Sequence, residues 1–533
     1  MHRVLVANRG EIALRIFRAC DEDGLETVAV VAPDDLGSLH ARSAGATIEI
    51  ASYLDASEHV RAARRAGADA VHPGYGFLAE SAELAEAVLA AGLTWIGPPP
   101  PALRAGGDKL AAKETARANG VPVLPTGSPE EIGFPLLVKA AAGGGGRGMR
   151  VVRTEAELDD AVEAARREAK AAFGDDTVFF ERYLERPHHV EIQLLADRHG
   201  TVVALGERDC SVQRRHQKVL EESPSPAVDP ALRSAMSDAA VAFARAIGYE
   251  SAGTAEFVLD GGAFYFLELN ARIQVEHPVT ELVTGVDLVR AQLAIARGEP
   301  LDVHREMSGH AVEVRLYAED PRTFLPQAGP VDRLVLPSSI RVDAGVAEGD
   351  EIGTSYDPMI AKLIAHAPTR AQALDRLAEA LAETEVGGVT TNLPFLRWLV
   401  AHPVVRAGRA TTAFLTEHPP LSLPVQQPAP AWAEPWRLNL SSPPPAPPPD
   451  AAAAGDHAAG PEQSSVSAPM PGTVIRVLVA AGDRVAARQP LVVLEAMKME
   501  TPLASPYDAT VRAVHVAEGD RVAGGTLLVE LEE

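Results

Sequence analysis

The chain has few cysteines, little basic charge and no long apolar run, and each shortage excludes a class of protein. Two cysteines among 533 residues, Cys20 and Cys210, are too few for a disulfide-stapled framework, so we expect a reducing compartment, the cytoplasm. The 49 basic residues face 73 acidic ones, and the net charge of −24 argues against a general surface for nucleic acid or anionic membrane. No apolar run reaches membrane-spanning length, and charges interrupt the apolar start of the chain, unlike a signal peptide.

The pattern of apolar residues divides the chain into several units, as its length leads us to expect. Residues 1–108 alternate apolar strand and helix patterns, which predicts a parallel α/β domain. Residues 109–305 combine a glycine cluster with strand–turn–strand signals, and residues 306–418 have strands followed by an amphipathic helix, an α+β pattern. Residues 419–465 are rich in proline and alanine without apolar periodicity, which predicts a semi-rigid linker to a last β unit at 466–533.

A strand pattern that ends at Lys139 is followed by glycines at 143–146, by Arg147 and Gly148, and then by a second strand pattern. Glycine lets backbone N–H groups close around an anion without interference from a Cβ atom. Lys139 and Arg147 add positive charge, so we interpret the segment as a hairpin lid over a nucleotide. A flexible linker has a similar composition and is the alternative. The segment lacks the P-loop pattern, which excludes a P-loop nucleotide site.

Two strand patterns on either side of residues 260–262 predict a β-hairpin. With the turn centred on Gly262, Glu256 faces Glu268 across the ladder, and Asn270 shares their face. Two neighbouring carboxylates repel each other unless a cation or a shared proton compensates them, and oxygen ligands beside a phosphate lid suit Mg²⁺. Two solvated acids on an edge strand are the alternative, but the apolar neighbours favour a buried metal site.

Two further charged segments indicate anion binding. Arg272 and Glu276 can hold a small anion and remove its proton, provided that they converge on one pocket. Residues 208–218, RDCSVQRRHQK, bring five potential cations into an acidic chain, which indicates either a local anion site or a solvated basic loop. Cys210 in this segment has no evident partner base, so we expect a small buried thiol rather than a nucleophile.

The last unit contains one pattern twice. Residues 469–495 recur as residues 506–532, and GDRVA occurs at both 482–486 and 519–523. Lys498 lies at the junction between Met497 and Met499. Two similar β halves predict a small barrel that presents this lysine on a hairpin tip, and large apolar neighbours at an exposed turn indicate a contact surface. An ordinary surface lysine is the alternative. The unit resembles biotinyl carrier domains, in which such a lysine carries biotin through an amide bond. Lipoyl carriers share the repeat but usually have Asp where this chain has Met497.

Outside the linker, nearly the whole chain resembles biotin carboxylase, an ATP-grasp enzyme, fused to its own biotinyl carrier. Proteins of this plan resemble the α subunits of bacterial acyl-CoA carboxylases. The segments that carry the resemblance are ANRGEIALRI, HPGYGFLAE, KAAAGGGGRGMRVV, RDCSVQRRHQK and LNARIQVEHPVTE. The resemblance implies a multidomain α/β plus α+β fold: an N-terminal α/β domain, an ATP-grasp domain, a C-terminal α+β domain and, beyond the linker, a flattened all-β barrel of biotinyl/lipoyl type.

The resemblance also implies roles for individual residues, which are expectations at this point. The residues expected to bind ATP are Lys109, Lys139, Gly145, Gly146, Glu181, Leu184, His189, Gln213 and His216. Those expected to bind Mg²⁺ or Mn²⁺ are Glu256, Glu268 and Asn270. Those expected to hold bicarbonate are Arg272, Gln274, Val275 and Lys218, with Glu276 as the general base. Arg341 is expected to stabilise the biotin enolate, and Lys498 to carry covalent biotin.

By this resemblance the chain carboxylates the biotin on its own Lys498 with ATP and bicarbonate. No residues remain for a carboxyltransferase, so we expect a separate β subunit to take the carboxybiotin and to carboxylate an acyl-CoA of the acetyl- or propionyl-CoA type. Pyruvate is the alternative acceptor. We also expect a biotin protein ligase as partner and a homo-oligomer of the carboxylase portion. The competing classes are an ATP-grasp carboxylate–amine ligase and a non-catalytic carrier or scaffold. One departure from the family pattern is a shorter stretch between Gly45 and Ser52.

Overall fold

The computed structural model describes residues 1–141, 149–173, 175–214, 217–303, 306–422, 465–470, 472–496, 499–522 and 524–532. Within these residues the largest sheets have eight and five strands, and two four-stranded sheets form the C-terminal unit. No helix in the described part of the chain combines the length and the apolarity that crossing a bilayer requires.

The N-terminal unit is a parallel sheet with helices between its strands. Its elements are β1 (Arg3–Val6), α1 (Gly10–Glu22), β2 (Glu26–Val31), α2 (Leu39–Ser43), β3 (Ala46–Glu49), α3 (Ala56–Ala66), β4 (Ala70–His72), α4 (Ala82–Ala90), β5 (Thr94–Trp95) and α5 (Pro100–Gly107). The strand order is β3-β2-β1-β4-β5, and every pair is parallel. Val4, Leu5 and Val6 of the central strand are all buried, as expected for a sheet covered on both faces. The predicted parallel α/β arrangement is confirmed.

A small antiparallel sheet carries the glycine-rich segment. Its elements and the helices around it are α6 (Lys109–Ala118), α7 (Pro129–Ile132), β6 (Leu136–Ala140), β7 (Arg150–Val152), α8 (Leu158–Phe173) and β8 (Val178–Arg182). The order is β7-β6-β8, with Leu136 opposite Val152. The strands on either side of the glycines therefore pair as a hairpin, as predicted. The glycines of the loop, Gly145 and Gly146 among them, lie outside the described residues.

The central sheet supplies the scaffold of the candidate site. Its strands and the elements connected to them are β9 (His188–Ala196), β10 (Val202–Arg214), β11 (Gln217–Ser223), α9 (Pro230–Ala246), β12 (Ser251–Asp260), β13 (Ala263–Asn270), α10 (His277–Thr284), α11 (Leu288–Ala296), β14 (His310–Tyr317), β15 (Gly329–Pro330), β16 (Arg333–Val335), β17 (Arg341–Ala344), β18 (Glu351–Ile352), β19 (Met359–Ala367), α12 (Arg370–Glu383), β20 (Glu385–Gly387), α13 (Leu393–Ala401), α14 (Pro403–Arg406) and α15 (Phe414–Glu417). The order is β13-β12-β9-β10-β11-β14-β19-β17. The sequence predicts a domain limit between residues 305 and 306, but β11 and β14, which lie on opposite sides of that limit, pair in the same sheet.

The C-terminal unit is a barrel-like pair of four-stranded sheets. Its strands are β21 (Ser465–Ser467), β22 (Gly472–Val477), β23 (Arg484–Val485), β24 (Pro490–Ala496), β25 (Met499–Ala504), β26 (Ala509–Val514), β27 (Arg521–Val522) and β28 (Leu527–Glu532). The sheet orders β21-β28-β26-β23 and β25-β24-β22-β27 mix strands of the two sequence repeats, so neither repeat forms a sheet by itself. Ala496 pairs with Met499. Met497 and Lys498, between them, lie outside the described residues.

Candidate active site

The ammonium group of Lys218, on β11, lies at the centre of a ring of buried acids. Its Nζ is 2.5 Å from Glu191 on β9, 2.8 Å from Glu256 on β12 and 2.6 Å from Glu276, the N-cap residue of α10. Burial opposes the charge on Lys218, but the three carboxylates raise its pKa well above the usual value. Lys218 therefore stays charged and holds together three acids that would otherwise repel one another.

A bulge brings the two acids of the predicted hairpin opposite each other. Gly261 and Gly262 form its turn with φ of +56° and +84°, the left-handed conformation that a two-residue type I′ turn requires. Regular pairing from this turn would set Glu256 opposite Leu267. A register shift beside Glu256 moves it opposite Glu268 instead. The predicted pairing is therefore confirmed, but the predicted turn centred on Gly262 is wrong, because Asp260 pairs with Ala263.

Glu256, Glu268 and Asn270 form a set of oxygen donors at the open end of this hairpin. Glu256 accepts a hydrogen bond of 2.8 Å from the Asn270 amide, and its second oxygen lies 3.0 Å from His189 Nε2. The Glu268 side chain is one-third exposed, and its ion pair with Lys109 is loose, at 3.9 Å. Glu268 thus has oxygen lone pairs to offer, and the chemistry of the set fits Mg²⁺ or Mn²⁺.

Three lysines gather positive charge near this hairpin. Lys109 and Lys113 lie one turn apart on α6, which Asp108 caps by accepting hydrogen bonds from two backbone N–H groups. Lys139, at the end of β6, lies 3.1 Å from Glu181 on β8, and Lys113 pairs with the other oxygen of the same carboxylate. Burial and the charge of Lys109 lower the pKa of Lys139 to about 8. The three lysines face only two acids, Glu181 and Glu268, and burial with neighbouring positive charge lowers the pKa of Lys113 to about 6, so a polyphosphate would supply the missing negative charge.

The loop after β13 brings donors to the space beside Lys218. Arg272 lies 3.3 Å from Glu80 of the N-terminal unit and donates to the carbonyl oxygen of the Gln274 side chain at 3.0 Å. The amide nitrogen of Gln274 is buried and has no hydrogen-bond partner among the described residues. The Val275 carbonyl accepts from Lys362 at 2.9 Å. An arginine and a free buried amide donor suit a small oxyanion such as bicarbonate.

Glu276 is held by cations on both of its oxygens. One oxygen faces Lys218, and the other lies 3.0 Å from the guanidinium of Arg315 on β14. Burial opposes the charge on Glu276, but Lys218, Arg315 and Arg208 lower its pKa. The carboxylate is therefore ionised at neutral pH and able to accept a proton.

Arg341, on β17, lies at a second ion-pair cluster beyond the start of α10. It contacts Glu281 at 2.7 Å and Asp343 at 2.8 Å. Glu281 is shared with Arg15 of α1, at 2.9 Å. The side chain of Arg341 is 17% exposed, and Asp343 and Glu281 bind its guanidinium nitrogens.

The remaining predicted residues divide into those that the structure brings to the site and those outside its description. Gln213 donates to His189 Nδ1 at 3.0 Å, which fixes one ring nitrogen of that histidine. Leu184 is half-buried just after β8. Cys210 is a buried free thiol, and burial raises its pKa well above the usual value, so the expected inert cysteine is confirmed. Gly145, Gly146, His216 and Lys498 lie outside the described residues.

Several charged residues of the site were missed in the sequence. Lys113 could have been found from its four-residue spacing after Lys109 on an amphipathic helix. Glu191 could have been found from its two-residue spacing after His189 on one strand. Arg315 gives no such signal, because it reaches Glu276 from a strand distant in sequence. Arg208, fully buried, donates to Glu191 at 2.5 Å, whereas the basic segment around it was interpreted only as an anion site or a loop.

The paired strands β6 and β7, the cluster of lysines and the paired acids on the central sheet are typical of an ATP-grasp nucleotide site, and comparisons with known proteins identify the family. "Biotin carboxylase, N-terminal domain" matches residues 1–103, "Carbamoyl-phosphate synthase L chain, ATP binding domain" matches 126–304, and "Biotin carboxylase C-terminal domain" matches 313–417. "Biotin-requiring enzyme" matches residues 464–531.

Curated relatives agree with these family matches. The biotin carboxylase of Halalkalibacterium halodurans is 46% identical over 440 residues, which cover 78% of this chain and 97% of that protein. The propionyl-CoA carboxylase alpha chain of Ruegeria pomeroyi is 44% identical, with 79% and 68% covered. The mitochondrial methylcrotonoyl-CoA carboxylase subunit alpha of Arabidopsis thaliana is 45% identical, with 78% of this chain covered, and the chain spans only 61% of its length.

A solved structure agrees as well. The biotin carboxylase domain dimer of the Hydrogenobacter thermophilus 2-oxoglutarate carboxylase, in complex with MgADP, ADP and bicarbonate, has a TM-score of 0.77 and 43% identity, with 78% of this chain and 97% of that chain covered. The chain belongs to the biotin carboxylase family, and it continues into a biotin-lipoyl domain.

Proposed function

We propose that this biotin carboxylase carboxylates biotin held on its own Lys498 and passes the carboxyl group to a separate carboxyltransferase subunit that acts on an acyl-CoA. The observation that carries the proposal is the union, in one chain, of a carboxylase site and a biotin-lipoyl domain. Acyl-CoA is favoured as acceptor because the relatives of this chain include alpha subunits of propionyl-CoA and methylcrotonoyl-CoA carboxylases. A biotin protein ligase would load Lys498, the carboxylase portion would self-associate, and the two free buried cysteines favour the cytoplasm.

We assign the steps to residues as follows. Arg272 and the free amide donor of Gln274 hold bicarbonate, and Glu276 takes its proton. A bicarbonate oxygen bonds to the γ-phosphorus of ATP as the bond from that phosphorus to ADP breaks. The C–O bond of the resulting carboxyphosphate then breaks and gives CO₂ and inorganic phosphate. The phosphate takes the proton of a ureido nitrogen of biotin, and that nitrogen bonds to the carbon of CO₂.

The cations of the site offset the negative charge of this reaction. Lys109, Lys113 and Lys139 would offset the charge of the phosphates, which would raise the lowered pKa values of Lys113 and Lys139. Arg341, in its cluster with Glu281 and Asp343, would stabilise the enolate oxygen of biotin. Glu256, Glu268 and Asn270 would hold Mg²⁺ or Mn²⁺, which would neutralise charge on the phosphate oxygens. The hairpin lid over the phosphates would exclude water from the reacting groups.

The test measures ATP turnover by the full chain with and without bicarbonate and biotin. We expect turnover to require bicarbonate, and Glu276→Gln to lower it by about 100-fold or more, the usual effect of removing a general base. Glu299→Gln, at an exposed acid, is the matched control and should keep the wild-type rate. Bicarbonate-independent turnover would favour a carboxylate–amine ligase, and full activity of Glu276→Gln would favour a non-catalytic carrier.

The acceptor is tested separately. The chain is purified with its native partner, and the complex is given acetyl-CoA, propionyl-CoA, other acyl-CoAs and pyruvate. Carboxylation of an acyl-CoA supports the proposal, and carboxylation of pyruvate alone contradicts it.

A further inference from the structure

Behind Glu276, away from Lys218, lies a buried charged face that the reaction described above does not use. Glu221 on β11 pairs in register with Glu313 on β14, and Arg315 is two residues further along β14 on the same face. Helix α10 packs on these strands, and Glu276 is the N-cap residue just before it. One nitrogen of Arg315 lies 3.0 Å from Glu276 and 2.5 Å from Glu221. A single guanidinium nitrogen is therefore shared by two carboxylates.

Arg315 supplies the positive charge that compensates the Glu221 carboxylate. It is fully buried, and no hydrogen-bond donor among the described residues is well directed at either of its oxygens. The charged or titratable groups that face it from its own strand, from β10, from β14 and from α10 are Lys218, Cys210, Glu313, Arg315 and Glu276. Of these, Arg315 is its one direct ion pair in the described residues.

We propose that Glu221 is a positioning residue. It shares the guanidinium of Arg315 with Glu276, and this sharing keeps the Glu276 carboxylate basic enough to accept a proton. Two cations, Lys218 and Arg315, contact the Glu276 carboxylate directly, and each lowers its tendency to accept a proton. When Glu221 is ionised, it takes part of the attraction of Arg315 and repels Glu276, and both effects make Glu276 more basic. When Glu221 is neutral, Arg315 acts on Glu276 alone. The inference rests on the proposed role of Glu276 as the base.

The sharing gives the reaction a pH dependence with a definite sign. Burial raises the pKa of Glu221 to about 7, although Arg315 opposes that rise. Glu221 is thus ionised above this pH and neutral below it. Because the ionised form supports the base, activity should fall as the pH decreases through this region and should level off above it.

Two variants separate this role from a purely structural one. Glu221→Gln keeps the shape but not the charge, so kcat for bicarbonate-dependent ATP turnover should fall roughly 10-fold at about pH 8, and the decline below about pH 7 should be lost. The KM for ATP should stay within about twofold, because the phosphate-binding lysines are untouched. Glu221→Asp keeps the charge and should restore the decline. A structural defect would instead change KM and kcat together.

Glu313→Gln is the matched control. Glu313 lies opposite Glu221 on the neighbouring strand and is equally buried. Burial raises the pKa of Glu313 well above the usual range, so its side chain is neutral, and a neutral glutamine should replace it without effect on the reaction. Its kcat and pH profile should match the wild type. All measurements use the full chain, with bicarbonate saturating at every pH.

The outcomes separate this inference from the proposed function. If Glu276→Gln is inactive while Glu221→Gln keeps the wild-type kcat and pH profile, the role of Glu221 is wrong and the function stands. If Glu276→Gln stays active, both are wrong. If Glu221→Gln does not fold, the wild type and Glu221→Asp decide: a kcat that is level from about pH 6 to about pH 8 in both contradicts the inference, since both carry the ionisable acid.

Discussion

At the scale of single residues, the buried lysines of the site have too few neighbouring acids to compensate them, and a bound polyphosphate would supply the missing negative charge. Burial, with the nearby charge of Lys109, lowers the pKa of Lys139 to about 8, and its counter-charge Glu181 is shared with Lys113. A bound polyphosphate would raise the pKa of Lys139, so the lysine should take up a proton when nucleotide binds near pH 8 and should not near pH 6, where it is already charged.

Calorimetry in two buffers of unequal ionisation enthalpy measures this proton uptake. Lys139→Arg stays charged at every accessible pH, so nucleotide should still bind to that variant, but the proton that Lys139 takes up should be missing from the measured uptake. Equal uptake by the wild type and Lys139→Arg would contradict the assignment.

Glu313 gives a second prediction at this scale, on stability. The carboxyl group is buried, neither oxygen has a hydrogen bond in the described residues, and burial raises its pKa well above the usual value. The folded protein keeps Glu313 protonated at a pH where the unfolded chain would release the proton. The free energy of unfolding therefore falls as the pH rises above the unfolded pKa of about 4.3.

Glu313→Gln removes this dependence. The variant should be more stable than the wild type by about 1 kcal/mol or more near pH 8, and the difference should vanish near pH 4.5. Urea unfolding of both proteins at the two pH values measures it. A less stable variant near pH 8 would mean that Glu313 is ionised and paired with Lys362.

At the scale of secondary structure, the sequence predicted which strands and helices form, but it did not predict the bulge in the β12–β13 pairing or the pairing of β11 with β14. The alternation in residues 1–108 predicted a parallel sheet, and the glycine turn predicted the β12–β13 hairpin. The bulge that brings Glu256 opposite Glu268 was not predictable, because no local residue pattern marks it. Arg315 and Glu221 were missed for a related reason: their pairing depends on contact between strands that are far apart in sequence.

The start of α6 supports a prediction about an element. Asp108 caps this helix and accepts hydrogen bonds from the N–H groups of Leu110 and Ala111, so it fixes the turn that carries Lys109 and Lys113. Asp108→Ala should lower stability by about 1 kcal/mol and raise the KM for ATP, because both lysines lose their fixed position. Asp108→Ser keeps a cap and is the control. Equal ATP affinity in the two variants would show that the cap does not position the lysines.

At the scale of the whole molecule, the central sheet joins regions that the sequence divides. Strands from 188–270 and from 310–367 form one eight-stranded sheet, and Glu276 receives Lys218 from one region and Arg315 from the other. Local periodicity cannot reveal such continuity, because it depends on which strands pair. The domain limits drawn from composition therefore stay predictions. The internal repeat did predict a small β unit, but not that its two sheets would mix strands of both repeats.

The predicted linker at 419–465 would keep the biotin of Lys498 close to the carboxylase portion of the same chain. A biotin attached to the same chain meets the carboxylase at an effective concentration near ~1 mM, whatever the protein concentration. Two full-length variants remove the tether's benefit without deleting any part. Lys498→Arg has an intact carboxylase but no site for biotin, and biotinylated Glu276→Gln has a loaded carrier but no base.

Mixed at ~10 µM each, these variants should transfer labelled bicarbonate to the biotin of Glu276→Gln roughly 100-fold more slowly than the wild type does to its own, and the rate should rise in proportion to concentration. Intact mass should find the biotinyl group on Glu276→Gln and not on Lys498→Arg. A mixture as fast as the wild type at every concentration would contradict delivery within one chain, because the carrier would then serve the carboxylase of a stably associated neighbour.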